Sequence, residues 1–168
     1  SSVLNVKEGP INVGRVQSIF SMLTSTSTSY ILLASLDVAR RNLALNGQQI
    51  LDRTVKLADH AREEINKINH LYCVGKEFFG SHATYDFYPS KLIVSVKDLG
   101  ITGQDAELWL RENKNIEVEL SDLYNILCLV TPGDDEDSIE TLILALKDLS
   151  DHYKHLARQS NIAEVKLP

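Results

Sequence analysis

Over residues 12–23, Val16, Ile19, Phe20 and Leu23 fall on one face at three- and four-residue spacing, so the pattern predicts an amphipathic helix. A second helix is predicted over 29–45. Its start, Ile31-Leu32-Leu33-Ala34, is apolar on nearly all sides, which predicts that it is buried. Asn46-Gly47 reads as a break with the character of a C-terminal cap. From 48 to 68 the positions Leu51, Val55, Ala58, Ala61, Ile65 and Ile68 trace a third helical stripe, with charges covering the other side.

After Ile68 the period changes, and a domain boundary is expected there, dividing the chain into 1–68 and 69–168. Strands are predicted over 70–74, 91–97, 116–120 and 125–130; in the third, Ile116, Val118 and Leu120 alternate with Glu117 and Glu119. A further short strand is predicted over 3–6, ended by Gly9-Pro10. A helix carrying Trp109 is predicted over 103–113, and a long one after Thr131-Pro132-Gly133-Asp134, with Ile139, Leu142, Ile143, Leu146, Leu149, Tyr153 and Leu156 as its apolar stripe. The fold class is α/β: long helices, then a small sandwich of mostly antiparallel strands backed by two helices over 69–160. The leading helices do not make a self-sufficient core, so the chain reads as part of something larger.

Composition narrows the function classes. A formal charge of −6, with lysines and arginines scattered, argues against nucleic acid as a partner. No apolar run approaches the roughly 20 residues that span a bilayer. There is no recognisable targeting segment, so no membrane partner is expected. Cys73 and Cys128 sit in apolar, strand-like segments without metal-ligand or paired spacing, and are expected to be buried free thiols in a reducing compartment such as the cytoplasm.

The chemistry centres on Thr24-Ser25-Thr26-Ser27-Thr28-Ser29-Tyr30, a hydroxyl run leading into an apolar helix start. Such a run serves either as a plain capping loop or as an anion cradle, since helix-start amides and the positive end of the helix dipole suit a phosphate. One cap needs one hydroxyl, and several in succession suggest a second acceptor. Asp134-Asp135-Glu136-Asp137 lacks the spacing and central glycine of a calcium loop and is read as helix capping. Glu117, Glu119 and Asp122 stand either on a solvated strand face or before a cationic ligand. The five histidines show no metal-ligand spacing, and no metal is expected.

The chain resembles the Orn/Lys/Arg decarboxylase family of pyridoxal-phosphate (PLP) enzymes with the aspartate-aminotransferase fold (fold type I). Three stretches carry the resemblance: Ser2-Val3-Leu4-Asn5-Val6-Lys7; the hydroxyl run continuing to Ala34-Ser35-Leu36-Asp37-Val38-Ala39; and Leu127-Cys128-Leu129-Val130-Thr131-Pro132-Gly133. The family often has proline where Thr28 stands and histidine where Asn5 stands. The resemblance implies a lyase that decarboxylates arginine, lysine or ornithine, of the kind that feeds polyamine biosynthesis. It implies a homodimer or higher oligomer with shared active sites, in which Ser25, Thr26 and Ser27 reach the cofactor phosphate of a neighbouring subunit. Glu117, Glu119 or Asp122 would then face the guanidinium or ammonium group of the substrate. The Schiff-base lysine of the family lies a few residues before the position of Ser1, and Lys7 does not match it. The segment is therefore expected to hold no catalytic residue and to be inactive and without cofactor alone, as the end of the PLP-binding large domain (1–68) plus the small C-terminal domain (69–168). Two other readings stand beside it: a stand-alone ferredoxin-like ligand-binding or regulatory module, and a non-catalytic subunit completing another chain's active site.

Overall fold

Asn12 opens the first helix, its side-chain oxygen accepting from the Arg15 amide at 3.0 Å. In the computed structural model, which describes residues 9, 11–24, 29–80 and 86–157, this helix is α1 (Val13–Leu23). The strand expected over 3–6 lies outside the described residues. α2 (Tyr30–Ile65) is one continuous helix of 36 residues where the pattern predicts two. A glycine inside a helix costs about 1 kcal/mol, too little for Gly47 to end a helix with formers on both sides, and Gln48 reaches Asp52 one turn on at 2.9 Å. The Asn46-Gly47 signal nevertheless marks a division, since the chain separates into two compact units, 1–45 and 46–168, at that point.

In the first unit the amphipathic face of α1 forms as expected, yet none of its residues is buried. The start of α2 corrects the expectation of burial: Ile31 and Leu32 are 82% and 64% exposed. Their apolar side chains find too little cover among the described residues of that unit.

The second unit holds the core. Thr54, Leu57, Ala58, Ala61 and Ile65, spaced three and four apart on α2, are buried in it. Packing therefore begins at 46, ahead of the change of period after Ile68. β1 (Tyr72–Cys73), β2 (Lys91–Ser95), β3 (Leu120–Ser121) and β4 (Asn125–Leu129) form one antiparallel sheet in the order β1-β2-β4-β3. Register sets Cys73 opposite Val94, Val94 opposite Ile126 and Leu92 opposite Cys128, all buried, while Ile93 and Leu129 face outward. α3 (Gly103–Lys114) and α4 (Glu136–Ala157) close the core with Ala106, Leu110, Ile139, Ile143, Leu146 and Leu149. The two helices expected to back the sheet within 69–160 are thus α3 and α4, and the end of α2 adds a third. The order of strands and helices, ββαββα after α2, also departs from the ferredoxin-like split β-α-β pattern.

The predicted strand over 116–120 is the main local correction, since only Leu120–Ser121 joins the ladder. Asn115, in the left-handed region at φ 53°, ends α3, and the chain returns with Ile116 and Val118 packed on the core. Leu120 turns outward at 53% exposure.

Arg62 in the last turn of α2 and Asn66 just past its end bind the edge of the sheet at β1. Asn66 donates to the Cys73 carbonyl and accepts from the Cys73 amide. Arg62, 8% exposed, donates through Nε to the Val74 carbonyl and through Nη2 to the Pro89 carbonyl, and pairs with Asp59 at 2.6 Å. Its guanidinium also lies 5.4 Å from the Phe87 ring centroid. Edge groups that would otherwise stand unpaired are thereby satisfied. Between α3 and α4, the Trp109 ring lies 5.6 Å from the His152 ring, and Lys114 reaches over Trp109 to pair with Asp148. No described helix is long and apolar enough to cross a membrane.

Candidate functional site

Ser25, Thr26 and Ser27 lie outside the described residues, but both flanks of the hydroxyl run are described. Before it, the Thr24 amide bonds the Phe20 carbonyl and ends α1. After it, Ser29 opens α2: its carbonyl accepts from the Leu33 amide at 3.0 Å and its hydroxyl from the Leu32 amide at 3.5 Å. The first turn of α2 carries no carboxylate, whereas α3 begins with Asp105 and α4 with Glu136 and Asp137. Acidic side chains in a first turn already answer the positive end of a helix dipole. The first turn of α2 thus places no like charge against an anion at that end.

The three carboxylates named from the sequence are held differently. Glu117 receives two bonds from Arg111 Nε, at 2.8 and 2.9 Å, and the same arginine reaches Glu107 at 2.6 Å. The Ser121 hydroxyl, followed by Arg111, holds the Glu107 carboxyl below its ordinary range. Asp122 sits in the turn between β3 and β4, accepting from the Tyr124 and Asn125 amides at 2.8 and 2.7 Å. Burial pushes its carboxyl upward, but these amide donors outweigh that and hold it below the usual value. Glu119 is exposed, and its amide bonds the Leu127 carbonyl at 2.9 Å.

The acidic run at the start of α4 caps it, as expected. Asp135 Oδ1 accepts from the Ser138 amide at 2.9 Å and from its hydroxyl at 2.6 Å, and these bonds lower the Asp135 pKa. Asp134 closes the preceding turn by accepting from the Thr131 amide and hydroxyl at 2.6 and 2.8 Å. Arg53 Nη2, reaching from α2, donates to the Pro132 and Asp134 carbonyls at 2.9 Å each. Nothing in the sequence pattern singles out Arg53, because its partners lie 79 and 81 residues away. A cleft of about 550 Å³ brings Glu117 together with Asp134, Asp135 and Asp137 over Ile116 and Leu142. On the other side of the turn an apolar cleft of about 310 Å³ is lined by Leu51, Val55, Tyr88, Ser90, Leu129 and Pro132. Among the described residues no group of three or more histidines, cysteines or carboxylates could hold a metal ion.

A four-stranded antiparallel sheet packed with helices defines a mixed α/β protein. The E. coli constitutive lysine decarboxylase has the same kind of fold: its structure is similar with a TM-score of 0.61 at 20% identity, over 88% of this chain and 26% of that one. The chain belongs to the Orn/Lys/Arg decarboxylase family, whose major-domain model matches residues 1–138. This bears out the resemblance carried by the hydroxyl run and its companion motifs. Over all 168 residues the chain is 61% identical to an arginine decarboxylase of Bacillus cereus, 58% to one of Halalkalibacterium halodurans and 54% to one of Bacillus subtilis. It spans about a third of the length of these curated relatives (34–36%).

Proposed function

We propose that this chain is a segment of a PLP-dependent decarboxylase of fold type I that converts arginine to the corresponding amine and CO2. The observation that carries this reading is the 54–61% identity, over the whole chain, to proteins named arginine decarboxylase. In it, the helices before residue 69 close the cofactor-binding large domain, and 69–168 form a smaller α/β domain resting on α2. The protein is a cytoplasmic homodimer or higher homo-oligomer, and its product feeds polyamine biosynthesis.

PLP, when bound, supplies an electron sink for loss of the α-carboxylate. The hydroxyls of Ser25, Thr26 and Ser27, with the first amides of α2, hold its phosphate across the subunit boundary. The absence of a carboxylate from the first turn of α2 supports this role, because no like charge opposes the phosphate. Of the three carboxylates proposed for the substrate cation, Glu117 is engaged by Arg111 and Asp122 by turn amides. The role therefore narrows to Glu119.

The test is CO2 release by the full-length protein from arginine, lysine and ornithine, together with cofactor retention. Arginine is expected to be the preferred substrate; a preference for lysine or ornithine overturns the substrate, and no release from any of them overturns the activity. A charge-assisted hydrogen bond contributes about 1.5–3 kcal/mol. Replacing Ser25 and Thr26 by alanine is therefore expected to weaken PLP retention at least tenfold, and unchanged retention refutes their phosphate role.

A further inference from the structure

We draw no further inference here: the strongest candidate, the apolar cleft between α2 and the Thr131–Asp134 turn with the nine-tenths-buried Ser90 in its lining, opens through the exposed Leu51, Tyr88 and Leu129, and nothing in the structure shows what covers it.

Discussion

Arg62 is a polar residue whose loss the second unit tolerates poorly. Its guanidinium has no room for another role, being bonded to two carbonyls and to Asp59 while 8% exposed. A buried acceptor left without its donor costs about 1–3 kcal/mol, and Asp59, whose side chain is 41% exposed and can turn to water, adds less. Arg62→Ala is expected to lower unfolding stability by about 2–4 kcal/mol, read from the urea midpoint, and a loss below about 0.5 kcal/mol contradicts the clamp. The two thiols make a prediction in pH. Burial pushes Cys73 up to about 11 and Cys128 up to about 12, from an ordinary 9.0. The unfolded chain therefore gives up these protons first as pH rises. Their contribution to stability is whole below about 9 and is lost as pH climbs through 11 and 12. The urea midpoint should fall between pH 8 and pH 10.5, and fall less steeply in Cys128→Ala; equal slopes in the two proteins count against the thiols as the cause.

Elements were legible wherever one periodicity ran long enough to dominate. The apolar stripes predicted α1 and α3 to within one residue of their ends, and the start of α4 just after Asp134, because their apolar positions recur at helical spacing. The strands at β2 and β4 were legible because one face is buried and the other is not. Reading failed where a local signal met a longer-range one. Asn46-Gly47 looks like a cap, but the helix runs through it. The alternation over 116–120 looks like a strand, but only its last residue finds a ladder partner. Even there the pattern was informative, since Ile116 and Val118 face the core and Glu117 and Glu119 face solvent. At the site, the capping role of the acidic run was legible because its partners are local. The Arg53 clamp and the pairing of Arg111 with Glu117 were not, because each depends on how distant or intervening backbone folds back. One element junction is set by space alone. A Cβ on Gly103 would lie 2.2 Å from the Asn125 carbonyl oxygen and 2.3 Å from that of Asp122. Gly103→Ala must push α3 off the β3–β4 turn, with an expected loss of about 1–3 kcal/mol, as for overpacked cores. Wild-type stability in this variant would show that the junction can relax freely.

At the scale of the whole chain, the division at residue 46 separates a unit with a core from one in which none of the described residues is buried. The sequence boundary after Ile68 and the packing boundary make different predictions. A polypeptide of residues 46–168 should unfold cooperatively, whereas 69–168 loses Leu57, Ala58, Ala61 and Ile65 from its core and should not fold. Circular dichroism melts decide between them, and a cooperative transition in 69–168 would restore the boundary after Ile68. The exposed Phe20, Met22, Leu23, Ile31 and Leu32 also lead us to expect that the 168-residue chain self-associates while 46–168 stays monomeric, measured by light scattering. The single tryptophan gives this unit an optical voice of its own. Trp109 is tucked between α3 and α4 beside His152 and Lys114, so its emission records whether those two helices are docked, without any added label. Excitation selective for tryptophan can thus follow the assembly of the second unit without a signal from the first.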